Sequence, residues 1–200
     1  MHRYIWLVPL LPLAGAAING LLGRKFRFSE KLIGGIAVGS IALAFLITVA
    51  AVYSYAFSSH ATWPETYVTS QDGNSFTWIP GGAVRLTEGA AERLQGMVRE
   101  GEPNRAPQAE GQQGSVLNIE WSYQLDALSA IFMLIVTGVG LCIFVFATGY
   151  MHGDAGFYRF FAYMGLFMFS MLVLVMGSNF LMMFVGWEGV GLCSYLLIGY

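Results

Sequence analysis

Gly186-Trp187-Glu188-Gly189-Val190-Gly191-Leu192-Cys193-Ser194-Tyr195-Leu196-Leu197-Ile198-Gly199 is the stretch on which the fold turns. It belongs to a run from Phe180 to Tyr200 with no charge other than Glu188. That run is long enough to cross a bilayer, at about 20 residues per helical span. Glu188 stands some way inside it, roughly 12 Å along a helix at 1.5 Å per residue. A carboxylate at that depth costs about 2.5–3.5 kcal/mol on insertion scales, and so short a side chain does not reach the interface. Groups of this kind move a proton or an ion. The plainer reading is a structural acid hydrogen-bonded to a neighbouring helix, or one close enough to the interface to be wet.

The rest of the chain agrees with a membrane setting. Hydrophobic residues make up 56% of the 200 and charged ones only 11%, where a soluble domain carries about 25% charged residues. Mean hydropathy is +0.60. The net charge of −2 says little, because most charge sits between apolar runs. Nucleic acid is not expected as a partner, since no basic patch carries interleaved aromatics. Cys142 and Cys193 fall inside apolar runs without CxxC or Cys/His spacing, so both read as small buried hydrophobes. No His, Cys and acid cluster has ligand spacing, and no metal or redox cofactor is expected on this chain.

Working outward from the Glu188 span, five apolar spans can be drawn. They run from about Tyr4 to Leu22, Leu32 to Phe57, Leu125 to Ala147, Phe160 to Met176, and Phe180 to the end. The expected fold is an all-α polytopic membrane protein of about five transmembrane helices. Its parts are 1–57, two helices with a basic loop; 58–124, an extracytoplasmic loop; and 125–200, the start of a helical bundle. Ala14-Gly15-Ala16 resembles a signal-peptide cleavage site. Arg24, Lys25, Arg27 and Lys31 follow it against Glu30 alone, and cleavage would leave them on the far side, against the positive-inside rule. The first span is therefore expected to stay uncleaved, with the basic loop cytoplasmic and the N-terminus and the 58–124 loop outside.

Within 58–124, Ser75–Ile79 and Leu117–Tyr123 read as short strands able to pair as a hairpin. Leu86, Ala90, Leu94, Met97 and Val98 are spaced for a short helix, and Gly101–Gly114 has the composition of a linker. Asp126 stands where a carboxylate caps the third helix; a part in proton uptake is the other reading. His2, His60 and His152 all read as solvated interface residues. Gly186, Gly189 and Gly191 allow another helix or water to approach the backbone near Glu188, or serve plain helix packing. Gly35 and Gly39 form a GxxxG read as packing. A movable Lys or Arg beside Glu188 would switch it between holding and releasing a proton, and the five spans contain no such cation.

From Asp126 onward the chain resembles the largest antiporter-like subunit of proton-pumping NADH:quinone oxidoreductase, respiratory complex I (the subunit L, or mitochondrial subunit 5, family). Gly149-Tyr150-Met151, Arg159-Phe160-Phe161-Ala162-Tyr163, Ser170-Met171-Leu172-Val173-Leu174 and above all Gly186–Gly199 carry the likeness. Pro9-Leu10-Leu11-Pro12 and the basic first loop carry it more loosely. The resemblance implies the N-terminal part of an antiporter-like bundle, with Glu188 at the position of an intramembrane proton-transfer carboxylate that pairs with a lysine on a later helix. It also implies coupling of electron transfer from NADH to quinone with proton translocation. NADH, FMN, iron–sulfur clusters and quinone then belong to partner subunits, and the other membrane and peripheral subunits of complex I and the lipid bilayer are the partners. The implied location is a bacterial plasma (inner) membrane. A subunit of a multisubunit cation/proton antiporter or of a membrane-bound hydrogenase is the alternative, disfavoured by Gly189–Ser194; a non-catalytic membrane scaffold is a third. Family members are several times longer, so a fragment or an incompletely represented chain is expected. The stretch from about Pro80 to Ser115 has the look of an insertion.

Overall fold

Chain direction reverses wherever polar or turn-forming residues interrupt an apolar run, and these interruptions set the helix ends. In the computed structural model the described residues are 4–26, 28–57, 66–72, 76–84 and 115–200. Helix α1 (Leu7–Ala17) continues through a π-helical turn, Ile18–Leu22, into a last turn at Gly23–Lys25. Pro9 lies in its first turn, where a missing N–H costs little, whereas Pro12 lies inside the helix. Helix α2 (Glu30–Ala56) starts at Ser29, whose hydroxyl accepts from the Leu32 N–H at 3.4 Å. Glu30 in its first turn complements the helix dipole.

Helix α3 (Ala127–Tyr150) is capped by Asp126, whose carboxylate accepts from the Ser129 N–H at 2.6 Å. Helix α4 (Phe157–Met176) leads through Gly177-Ser178 to α5 (Phe180–Ile198). Asn179 caps α5 by accepting from the Met182 N–H at 2.9 Å. The helices α2 to α5 are long and apolar enough to cross a membrane; the apolar part of the first, Leu7–Leu22, is shorter. It opens at Leu7 rather than at the expected Tyr4, and its last turn runs on into the basic residues at Gly23–Lys25.

One compact unit comprises residues 1–76 and 121–200. In it α4 packs most extensively on α5 and α1, and α2 on α3 and α1. Two apolar clusters fill it. Ile5, Val8, Tyr123, Leu125, Met133, Leu172, Val173, Met176 and Met182 gather toward one end. Ile33, Ala37, Ile41, Phe144, Phe157, Phe161 and Met168 gather toward the other. Buried hydroxyls return to their own helices: Thr48 to the Ala44 carbonyl, Thr137 to Met133 and Ser170 to Leu166. This satisfies each polar group without a partner from outside.

Close approach in the bundle depends on glycines other than the expected pair. A Cβ on Gly165 would meet Ala16 and the Pro12 carbonyl at 3.0–3.1 Å, and one on Gly15 would meet Ser40. The Gly35/Gly39 face, expected to pack, has no neighbour within 4 Å. Gly34, one residue round the helix, takes the contact instead, against Thr148 at 3.1 Å. The GxxxG spacing marked a face free of side chains, and no described helix fills it.

The expected hairpin strands pair. Strands β2 (Phe76–Val84) and β3 (Ser115–Trp121) form a two-stranded sheet, longer than the sequence reading at both ends of the intervening segment. The described residues 77–84 and 115–120 belong to a second compact unit. A second pair was not foreseen: β1 (Tyr67–Val68) runs antiparallel to β4 (Gln124–Leu125), with Tyr67 opposite Leu125. Thr69 and Tyr123 exchange backbone and hydroxyl bonds at 2.9 Å, and Ser122 bonds Ser178 at 2.6 Å. These contacts tie the approach to α3 onto the α4–α5 turn. The short-helix and linker readings of 86–98 and 101–114, and most of the 80–115 insertion, lie outside the described residues, as do His2 and His60.

Candidate functional site

Helix α5 divides its residues between two faces. Met182, Gly186 and Cys193 are buried, at helical spacing toward α4. A Cβ on Gly186 would lie 2.5 Å from the Leu174 amide nitrogen and 2.7 Å from its Cα, so the two backbones are in direct contact. A Cβ on Gly189 would meet the Ser170 hydroxyl at 2.6 Å. Cys193 reaches the same hydroxyl by hydrogen bond. Two of the three glycines beside Glu188 therefore serve the α4–α5 seam.

The opposite face carries Phe184, Glu188, Leu192 and Tyr195, one helical turn apart and all exposed. Gly191 opens on the same side and has no neighbour within 4 Å. Trp187, 62% exposed, lies beside Glu188 with its ring 6.4 Å from Phe184. Among the described residues Glu188 has no hydrogen-bond or ion-pair partner. The acid thus stands at mid-span and points away from the helices that hold it. The plain reading of a carboxylate bonded to a neighbouring helix finds no such neighbour among them.

Asp126, the second acid weighed, caps α3 as the sequence suggested. Cys193 is buried, but Cys142 is exposed on α3, which corrects the reading of both as buried. Among the described residues no group of three or more His, Cys, Asp or Glu gathers to hold a metal.

Sequence reasoning missed the polar contacts at the end of the bundle where α2 and α4 begin. His152 Nδ1 lies 2.6 Å from the Glu30 carboxylate, so the α3–α4 loop is tied to the start of α2. Gly153, at φ +85°, makes the turn that brings them together. Asp154 accepts from the Gly156 N–H at 2.6 Å and the Tyr200 hydroxyl at 2.8 Å, and both hold its carboxyl below the usual range. Partial burial, and then the bond to Asp154, push the Tyr200 hydroxyl up to about 12. The Arg159 guanidinium lies 5.9 Å from the rings of Tyr163 and Tyr200. Only charge opposition between Glu30 and the loop could have hinted at this network. A second omission is Asn19, fully buried in the π turn. Its amide donates to the Ile33 carbonyl at 3.2 Å, and its Oδ1 has no partner among the described residues. A lone polar residue in the first apolar run was the available signal.

Comparison with known proteins follows the same outline. Residues 112–161 match the family described as NADH-ubiquinone oxidoreductase (complex I), chain 5 N-terminus. NADH-quinone oxidoreductase subunit L of Pseudomonas aeruginosa is 37% identical over 191 residues, 96% of this chain and 24% of the relative. The subunit L of Escherichia coli (strain K12) is 34% identical over 191 residues, with the same coverage. That of Campylobacter jejuni reaches 54% over 82 residues, 41% of this chain and 14% of the relative. The chain spans about a quarter of the length of the curated relatives it matches over nearly its whole length.

Proposed function

We propose, from its relation to the N-terminal quarter of NADH-quinone oxidoreductase subunit L, that this chain works in the membrane arm of a proton-translocating NADH:quinone oxidoreductase. In this reading Glu188 is an intramembrane proton carrier. The observation that supports it is the mid-span acid on the outward face of α5, unpartnered among the described residues. An ionised carboxylate against lipid is too costly to keep without a use. The group therefore either takes up a proton or meets a cation or water on that open face, and alternation between the two states is proton transfer. Gly191, which opens on the same face, leaves room beside it for water or a second helix.

NADH, FMN, iron–sulfur clusters and quinone fall to other subunits, whose energy reaches this chain through the membrane. The basic loop of Arg24, Lys25, Arg27 and Lys31 supports a cytoplasmic position for the α1–α2 connection, with the N-terminus and the 58–124 loop outside a bacterial plasma membrane. Native-gel migration from mild-detergent membranes tests the assignment. The chain is expected to co-migrate with a large assembly that oxidises NADH. Migration in a smaller complex without that activity would favour the cation/proton antiporter or hydrogenase alternative.

A further inference from the structure

At the end of the bundle that carries the basic loop, an open groove of about 1080 Å³ runs between α2 and α3. Its inner part is lined by Gly34, Gly35, Val38 and Val145, and its mouth by Lys31 and His152. We propose that this groove binds an anionic phospholipid of the surrounding bilayer, acyl chain along the apolar inner part and headgroup at Lys31.

Three observations carry the proposal. The first is the gradient along the groove: Lys31 and Val38 are about 10 Å apart along α2, so it passes from charged to apolar over the depth at which a lipid does the same. The second is the charge left at the mouth. Glu30 is engaged by His152 at 2.6 Å and by the Gly153 N–H. Ser29 caps α2, and the Thr148 hydroxyl donates to the Val145 carbonyl at 2.7 Å. Among the described residues, the exposed Lys31 has no partner. The unpaired lysine stands next to a loop sequence with three more basic residues, Arg24, Lys25 and Arg27, and anionic headgroups collect where basic residues cluster at a membrane edge. The third is open space along its wall: among the described residues a Cβ on Gly35 or Gly149 would meet nothing within 4 Å, although both line the groove.

The inference stands on the groove alone and does not depend on the proposed proton-transfer role. Its test uses the chain in its native assembly, purified in mild detergent, with bound lipid read by native mass spectrometry after addition of phosphatidylglycerol or phosphatidylcholine. The unaltered chain is expected to retain a phosphatidylglycerol that phosphatidylcholine does not replace. Lys31→Gln and Gly35→Leu should each lower that retention several-fold. Gly39→Leu is the matched control, since Gly39 is equally open but lies outside the groove lining, and it should retain the lipid. Equal retention in all variants, or equal retention of phosphatidylcholine, overturns the proposal. Loss of a protein subunit on Gly35→Leu also overturns it, because the occupant would then be a helix of a partner.

Discussion

Gly186 and Gly191 are five residues apart on one helix and face opposite demands. The Leu174 backbone stands where a Cβ on Gly186 would go, and backbone in a packed helix pair cannot give way as a side chain tip can. Gly186→Ala should therefore push α4 and α5 apart and cost about 1–3 kcal/mol, as overpacked cores do. Gly191→Ala meets open space and should be neutral in stability. Thermal denaturation of the two variants in detergent checks the pair; equal melting would contradict the seam. Both positions looked alike in the sequence, as small residues near an acid. Which of them packs depends on the rotation of α5 against α4, which buries Met182, Gly186 and Cys193 together and leaves Gly191 on the other side. Glu188 was legible because charge in an apolar run needs no tertiary information. The direction it faces was not.

At the level of elements, caps and reversals explain most of the boundaries. Asp126 and Asn179 each accept from the amide three residues on, which fixes the starts of α3 and α5. Asp126→Ala should cost roughly 0.5–2 kcal/mol, whereas Asp126→Asn, which keeps an acceptor, should cost little. Thermal melts of the two variants read the difference. If Asp126→Asn is as damaging as Asp126→Ala, the charge against the helix dipole rather than the cap hydrogen bond is what stabilises the start of α3. Apolar run length located α2 to α5 to within a few residues, because a bilayer span and a reversal both leave marks in composition. The first helix opens at Leu7, three residues after the expected start, and its π turn at Ile18–Leu22 holds Asn19, whose amide donates to the Ile33 carbonyl. The β1–β4 pair escaped notice because two-residue strands carry no periodicity. The β2–β3 pair showed itself through Phe76 and Trp78 alternating with Ser75 and Thr77.

Across the whole molecule, the bundle presents α4 inward and one face of α5 outward. Helix α4 is held by α5 and α1, while the face of α5 with Glu188, Leu192 and Tyr195 touches none of the described helices. That arrangement leaves the chain's central acid facing away from the described helices. The polar ties at the end where α2 and α4 begin, Glu30 to His152 and Asp154 to Tyr200, hold those helix ends together. Substituting Glu188→Gln keeps the shape and the hydrogen-bonding capacity of the side chain but removes its exchangeable charge. The decisive measurement is NADH-driven proton uptake by membrane vesicles carrying this variant within the assembled complex. Assembly on native gels is expected to be unchanged and proton pumping strongly reduced; normal assembly with unchanged pumping would contradict a proton-carrying Glu188.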